Sequence, residues 1–153
     1  MHADLELPIM QRVLDLPRGA DVLEIGCGGG SGLRSLSALL APRRLAGIDI
    51  DRRALARCEA GRETYLADAR AMPFADATFD LVFDFGTLWH IARPADALAE
   101  IARILRPGGR LVYETRLNQL ASHPIRSLGR HVPWTTVLAP ERTTLLWSVR
   151  VKP

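Results

Sequence analysis

The sequence has few of the residues that build disulfide or metal frameworks. Two of its 153 residues are cysteine, Cys27 and Cys58, and four are histidine. Disulfide-stapled domains and zinc modules need more cysteines at characteristic spacings. Both thiols are therefore predicted to be reduced and to pack as small apolar side chains, and no metal site is predicted.

Long apolar runs are also missing. No window approaches the roughly 18 consecutive apolar residues of a membrane-spanning helix, and residues 1–16 lack the basic region and apolar run of a secretory signal. The sequence thus predicts a cytoplasmic protein with no membrane partner. With 48% hydrophobic and 24% charged residues, its composition is typical of a globular chain, and its length predicts one domain over residues 1–153.

Lysine is almost absent, since Lys152 is the only one and arginine supplies the remaining basic charge. Residues 116–153 contain six basic side chains and one acidic side chain, whereas residues 1–115 have a small acidic excess. A basic tail can meet an anionic substrate or RNA, but a solvated basic face is the simpler interpretation. Because stacking aromatics are few, the sequence argues against a nucleic-acid partner.

Glycine, by contrast, is concentrated in residues 22–32, VLEIGCGGGSG. A short apolar strand ends at these glycines, and leucines at helical spacing follow. Such a turn exposes backbone N–H groups at the start of a helix, and the missing Cβ atoms let a ligand approach the backbone. The stretch therefore predicts a cofactor site. The alternative is a glycine-rich turn without a ligand.

The glycine spacing discriminates between cofactors. A dinucleotide-binding G-x-G-x-x-G motif requires glycine at position 31 or 33, where Ser31 and Leu33 stand, so a nicotinamide dehydrogenase is disfavoured. The spacing E-x-G-x-G-x-G that begins at Glu24 instead resembles the class I S-adenosylmethionine-dependent methyltransferases. The resemblance implies S-adenosylmethionine as cofactor, S-adenosylhomocysteine as product and no metal. The cofactor-binding residues that it implies in this turn are Glu24, Gly26, Cys27, Gly28 and Gly30.

Acids follow the second predicted strand, LAGIDID. Asp49 lies 25 residues beyond Glu24, close to the interval at which a doubly wound fold places the end of its second strand beside the first turn. A carboxylate there accepts hydrogen bonds from both ribose hydroxyls. We therefore expect Asp49 to bind the ribose, with Ile50 beside it, and Asp51 to cap the helical segment that follows.

The third predicted strand ends at Asp68. In the resembled family, an acidic residue at this point accepts a hydrogen bond from the adenine amino group, and the next backbone N–H contacts the ring. The resemblance assigns these roles to Asp68 and Ala69. Met72 and Phe74 are expected both to pack in the core and to line the adenine pocket.

The fourth predicted strand has Phe79, Leu81 and Phe83 on one face, with Asp80 and Asp84 at its two ends. Asp80 is predicted to be structural. Asp84 and Phe85 follow the carboxyl end of the strand, which borders the ligand crevice of an open α/β sheet, and both are predicted to bind the cofactor.

The segment after this strand bears on the substrate. Family members that methylate amino groups of DNA bases or protein amides often have an Asn/Asp-Pro-Pro-Tyr/Phe tetrad here, and this chain lacks it. The following TLWHI resembles the small-molecule branch. His90 in this segment is the candidate catalytic base, with a packing or helix-capping role as the alternative.

The rest of the chain completes a predicted sheet. PADALAEIARILRPGGRLVYET predicts a helix, a stop at residues 107–109 and a strand at residues 111–113, a run that matches the family. Two further β-rich segments, residues 131–138 and 142–151, predict an antiparallel hairpin around a turn at Pro140 and Glu141. The predicted fold is α/β, a Rossmann-like doubly wound sheet of seven strands, mostly parallel with a C-terminal antiparallel hairpin, with helices on both faces and no separate cap domain.

The resemblance implies methyl transfer from S-adenosylmethionine to a small-molecule acceptor by in-line displacement, with the protein orienting the reactants and excluding water. Two alternatives stay open. One is an S-adenosylmethionine-binding protein that needs a partner or lacks efficient transfer, and the other is an RNA or protein methyltransferase that uses the basic tail. Since only residues 116–131 remain to shape a substrate pocket, a homodimer or a partner chain can complete it.

Overall fold

The computed structural model describes residues 15–114, 138–143 and 147–153. The predicted leading helix up to residue 14 and the basic connection at residues 116–131 lie outside this described part. Seven strands form a single sheet with the order β3-β2-β1-β4-β5-β7-β6. They are β1 (Asp21–Ile25), β2 (Arg44–Asp49), β3 (Glu63–Leu66), β4 (Phe79–Asp84), β5 (Leu105–Glu114), β6 (Ala139–Thr143) and β7 (Trp147–Val151).

The strand directions confirm the predicted doubly wound fold. Strands β1 to β5 are parallel, and β7 runs antiparallel to both β5 and β6. The chain first builds outward from β1 through β2 to β3 and then returns to place β4 on the other side of β1. This reversal creates a crevice beyond the carboxyl ends of β1 and β4, which is where open α/β sheets bind ligands.

Helices cover both faces of the sheet, as predicted. The described helices are α1 (Ser31–Leu40), α2 (Arg52–Leu55) and α3 (Pro94–Ile104). On one face, α1 buries Leu36 and Leu40 against β1 and β4. On the opposite face, α3 buries Leu98 and Ile101. No helix in the described ranges is long and apolar enough to cross a membrane.

Strand β4 departs from the predicted alternation. Leu81 and Phe83 face α1, but Phe79 lies on the α3 face, where its ring meets Phe74 edge-on at a centroid distance of 4.9 Å. The pairing of β4 with β5 shifts register between Phe79 and Leu81. Because alternation holds only along a regular ladder, a pattern of apolar residues could not place Phe79.

Two acids have the structural roles predicted for them. Asp80 accepts a hydrogen bond from the Asp21 backbone N–H at 2.8 Å and forms an ion pair with Arg106. Asp51 caps α2, because its Oδ1 accepts from the Arg53 backbone N–H at 2.8 Å. Both carboxylates therefore stabilise the framework that surrounds the crevice.

Candidate active site

A cavity of about 360 Å³ lies beyond the carboxyl ends of the first four strands. Its wall contains backbone and side-chain atoms from the ends of β1, β2 and β3 and from the short 3₁₀ turn Thr87–His90 that follows β4. The lining residues are Ile25, Gly26, Ile48, Asp49, Ile50, Ala67, Asp68, Ala69, Arg70, Thr87, His90, Ile91 and Ala92.

The structure brings six of the predicted site residues together on this wall and leaves six outside it. Those on the wall are Gly26, Asp49, Ile50, Asp68, Ala69 and His90. Those outside it are Glu24, Cys27, Gly28, Gly30, Asp84 and Phe85. The wall residues that our sequence reasoning missed include Arg70 and Thr87, each of which contacts a predicted site residue.

The first glycine of the turn is covered by the segment after β4. Gly26 has a φ of +66°, and a Cβ at this position would overlap the Thr87 side chain. The Thr87 hydroxyl also donates a hydrogen bond to the Ile25 carbonyl oxygen at 3.3 Å. Gly26 is therefore required for the close contact between the two loops that form this part of the cavity.

Asp49 organises the glycine turn from the end of β2. Its Oδ2 accepts the Gly28 backbone N–H at 2.8 Å, and its Oδ1 accepts the Asp51 backbone N–H at 2.8 Å. A Cβ added to Gly28 would meet no atom within 4 Å, so the turn presents open backbone at this point. Ile50, which follows, is 75% exposed and offers an apolar surface at the cavity.

Asp68 is engaged by the neighbouring Arg70. The Arg70 guanidinium donates from Nε to Oδ1 at 3.0 Å and from Nη2 to Oδ2 at 2.6 Å, and this pair lowers the pKa of the Asp68 carboxyl to about 2. Arg70 Nη1 also donates to the Ala92 carbonyl oxygen at 3.3 Å. The arginine thus links the loop after β3 to the segment after the 3₁₀ turn. The D-x-R spacing is the only sequence signal for this pair.

Two residues expected to line an adenine pocket do not reach the cavity. Met72 and Phe74 are buried in the core on the α3 face, and the Phe74 ring packs edge-on against Tyr65 at a centroid distance of 5.1 Å. The prediction that these two side chains pack in the core is confirmed, whereas the prediction that they also line the adenine pocket is wrong. The loop after Arg70 turns inward because its apolar side chains gain more from core contacts than from an open wall.

Glu24 lies beneath the turn and does not line the cavity. Its side chain is directed at α1, where a Cβ on Gly32 would overlap it. Burial, followed by the charges of Asp84 and Asp49, raises the pKa of the Glu24 carboxyl well above its usual range. Its Oε2 has no hydrogen-bond partner among the residues described. Glu24 can therefore support the turn only from behind.

Cys27 and Gly30 also form the framework of the turn. Cys27 is buried, and its backbone N–H donates to the Ile48 carbonyl oxygen at 2.9 Å, which ties the turn to β2. Burial raises the pKa of the Cys27 thiol to about 12. Gly30 precedes α1, and its N–H donates to the Cys27 carbonyl oxygen at 2.8 Å. Both cysteines are free thiols.

Asp84 and Phe85 face away from the cavity wall. The Phe85 ring stacks on Phe83 at a centroid distance of 5.9 Å and meets Trp147 edge-on, so it belongs to the packing on the α1 face. Asp84 is completely buried, and its Oδ1 accepts the backbone N–H groups of Thr87 and Leu88. The position of these residues at the end of β4 was predicted correctly, but the directions of their side chains place neither against the cavity.

His90 ends the 3₁₀ turn and lies exposed at the cavity. This placement leaves its imidazole accessible to a molecule bound there. The described ranges contain no group of three or more His, Cys, Asp and Glu side chains that could hold a metal ion. The cavity wall has four titratable side chains, which are Asp49, Asp68, Arg70 and His90.

Comparison with known proteins places this architecture in a family. A family model for a methyltransferase domain matches residues 23–113. Among curated relatives, the fatty-acid O-methyltransferase of Mycolicibacterium smegmatis is 36% identical over 100 residues, which is 62% of this chain and 36% of that protein. A phthiotriol/phenolphthiotriol dimycocerosates methyltransferase of Mycobacterium ulcerans is 35% identical over 100 residues, 62% of this chain and 37% of that protein.

A solved structure shows the same fold over almost the whole chain. The complex between the Haloferax volcanii Trm112 methyltransferase activator and a methyltransferase matches with a TM-score of 0.77 and 20% identity, over 99% of this chain and 91% of that one. The chain spans only 32% to 47% of the length of the curated relatives it matches. From the family match and the sheet order, this chain belongs to the class I S-adenosylmethionine-dependent methyltransferases.

Proposed function

We propose that this chain binds S-adenosylmethionine in the cavity and transfers its methyl group to a small-molecule acceptor. The observation that supports this proposal is the convergence of Asp49, Asp68 and the glycine turn on one cavity, each from the end of a different parallel strand. Family membership supports the cofactor, and the names of the curated relatives support a small-molecule acceptor.

The residues present fit the cofactor. Each Asp49 oxygen already accepts one backbone N–H, and because a carboxylate offers about four lone-pair sites, each oxygen retains one for a ribose hydroxyl. Ile50 offers an apolar face to the adenine, and Asp68 with the Ala69 backbone N–H offers polar partners to the adenine edge. The open backbone at Gly28 leaves space for the rest of the molecule.

The other residues of the turn act indirectly in this proposal. Glu24, Cys27 and Gly30 hold the turn in place from behind, and Gly26 permits its contact with Thr87. Asp84 fixes the position of the segment after β4 by accepting its backbone N–H groups, whereas Phe85 packs that segment onto the core. Asp84 and Phe85, predicted to bind the cofactor, therefore act in this proposal as supports of the cofactor site.

Methyl transfer requires the protein mainly to position the methyl donor and the acceptor. When bound, the cofactor sulfonium supplies an electrophilic methyl group: the acceptor lone pair forms the new bond to carbon while the S–C bonding pair returns to sulfur, leaving S-adenosylhomocysteine. The cavity wall orients the donor and excludes water. With a hydroxyl or carboxyl acceptor of the kind suggested by the relatives' names, His90 takes the acceptor proton where one must be removed.

The first test is a calorimetric titration of the purified chain with S-adenosylhomocysteine and, separately, with NAD. We expect saturable binding of S-adenosylhomocysteine and no heat of binding with NAD, because the turn has the methyltransferase spacing and lacks the G-x-G-x-x-G spacing of dinucleotide-binding turns. Binding of NAD without a response to S-adenosylhomocysteine would overturn the proposal. A radiolabelled methyl screen against metabolites, RNA and protein then identifies the acceptor class.

Changing His90 to Gln tests its proposed role in proton transfer. We expect the turnover rate to fall by about 10²-fold or more, as for a general base, while the affinity for S-adenosylhomocysteine falls much less, because removal of the acceptor proton belongs to the transfer step and not to cofactor binding. The same change at His123, which lies outside the described residues, is the control. An unchanged rate in the His90 variant would assign this residue a packing or capping role.

A second candidate function is cofactor binding by a chain that needs a partner for efficient transfer. It is favoured by the likeness to one chain of an activator complex. Turnover by the isolated chain would reject it, whereas tight cofactor binding without turnover would support it. The single-domain organisation, a homodimer and the cytoplasmic location stay predictions.

A further inference from the structure

Asp84 holds one wall of the cavity without forming part of its surface. The side chain is 0% exposed, and β1 pairs with β4 so that Ile25 lies opposite Asp84. Its Oδ1 accepts the backbone N–H of Thr87 at 2.7 Å and that of Leu88 at 3.1 Å. Thr87 and Leu88 are the first two residues of the 3₁₀ turn. The two hydrogen bonds to Asp84 therefore fix where the turn begins.

The turn that Asp84 holds presents cavity residues at both of its ends. Thr87 packs over Gly26 and donates to the Ile25 carbonyl oxygen, while His90 at the other end of the turn lies on the cavity wall. A displacement of the turn would therefore move the contact with the glycine turn and the position of His90 together.

The second oxygen of Asp84 is in a different situation. Oδ2 is buried and has no hydrogen-bond partner within residues 15–114, 138–143 and 147–153. Burial, with a smaller contribution from the charge of Glu114, raises the pKa of the Asp84 carboxyl to about 7 against the lowering effect of the amides that it accepts. The other titratable groups on the elements around it are Glu24 on β1, Tyr113 on β5 and His90 on the turn.

We propose that Asp84 is a positioning residue for the cofactor cavity, and that ionisation of its buried carboxyl strengthens its hold on the 3₁₀ turn and thereby increases cofactor affinity. The inference rests on the proposed function. Hydrogen bonds from N–H groups to an ionised carboxylate are roughly twice as strong as those to a neutral acceptor. The 3₁₀ turn is therefore held most firmly in the position that binds the cofactor when Asp84 is ionised, although burial disfavours the ionised form.

The affinity for the cofactor is expected to rise with pH. If the complex favours the ionised carboxylate, binding lowers the pKa of Asp84, and affinity rises as pH increases through about 7. The dissociation constant for S-adenosylhomocysteine should then fall about threefold to tenfold between about pH 6 and about pH 8. It should level off above that range, where the carboxyl of the free protein is already ionised.

The test is calorimetric titration with S-adenosylhomocysteine across this range for the full chain and three variants. Asp84→Asn keeps an amide acceptor but cannot ionise, so we expect it to bind as the wild type does near pH 6, with less than about twofold change at higher pH. Asp84→Ala removes the acceptor and should bind about tenfold more weakly at every pH. Asp84→Asn also retains the His90 imidazole, so loss of the profile in this variant excludes the imidazole as its source.

The matched control is Asp80→Asn, since Asp80 is an acid at the opposite end of the same strand that also accepts a backbone N–H. It should lower stability but keep the pH profile. A flat profile in the wild type, or a profile in Asp84→Asn parallel to that of the wild type, would overturn the inference. If the wild type fails to bind S-adenosylhomocysteine at any pH, the proposed function itself is wrong and this inference falls with it.

Discussion

Replacing Asp49 with alanine is expected to weaken binding of S-adenosylhomocysteine by about 2–4 kcal/mol. The change removes the charged acceptor proposed for two ribose hydroxyls. It also frees the Gly28 backbone N–H that Asp49 now accepts at 2.8 Å, so the glycine turn loses one of its contacts with β2. Calorimetric titration of the variant measures the loss, and thermal unfolding shows how much of it comes from the fold.

Asp51→Ala is the matched control, because Asp51 is an acid two residues further along the same loop. It caps α2 through the Arg53 backbone N–H, so its removal should cost about 1 kcal/mol of stability and leave cofactor affinity nearly unchanged. Asp49→Asn separates charge from shape, since the amide keeps one oxygen acceptor. If Asp51→Ala lost the ligand while Asp49→Ala kept it, the assignment of the ribose site would be wrong.

Replacing Gly26 with alanine is expected to destabilise the fold by about 2–4 kcal/mol and to abolish measurable cofactor binding. The added Cβ would overlap the Thr87 side chain, and the φ of +66° strains any residue other than glycine. Thr87 must move, and with it the 3₁₀ turn that forms one wall of the cavity. Chemical denaturation measures the first effect, and titration with S-adenosylhomocysteine measures the second.

Gly28→Ala separates a ligand contact from backbone strain. Gly28 and Gly61 both have positive φ, +52° and +84°, and neither would bring a Cβ within 4 Å of another atom. Each alanine should therefore cost about 1 kcal/mol of stability. If the ligand lies against the turn as proposed, only Gly28→Ala also weakens binding. Equal affinities for the two variants would show that the ligand does not approach Gly28.

The parallel part of the sheet and the edge of the sheet at which the cavity lies were predictable because their signals are local. The central strands β1, β2 and β4 are short runs rich in apolar residues, and the turn after β1 is a run of glycines, so the order of these elements and the acids at their ends followed from the residues themselves. The sequence predicted that Asp49, Asp68 and the glycine turn lie close together, because the carboxyl ends of parallel strands lie at one edge of a sheet.

The directions of the side chains after β4 were not predictable in this way. Phe85 and Asp84 occupy the expected positions, yet one packs on Phe83 and the other holds the amides of Thr87 and Leu88. Met72 and Phe74 likewise turn into the core, and Arg70 occupies part of the wall instead. In loops no period relates sequence position to direction, so the neighbouring elements determine where each side chain points.

The sequence by itself therefore determined the family, the succession of helices and strands up to β5 and the strand-end acids, because hydrophobic period and glycine spacing are properties of contiguous residues. The predicted hairpin turn was wrong, since Pro140 and Glu141 lie inside β6. Only the tertiary structure decided that Thr87 covers Gly26, that Arg70 engages Asp68, and that Asp84 is buried with one oxygen holding the 3₁₀ turn. The contact between Thr87 and Gly26 joins residues about sixty positions apart in the chain, and the burial of Asp84 depends on β1, β4 and β5 lying side by side. Such contacts exist only after the sheet has formed, since long-range packing sets both the neighbours of a side chain and the cost of its charge.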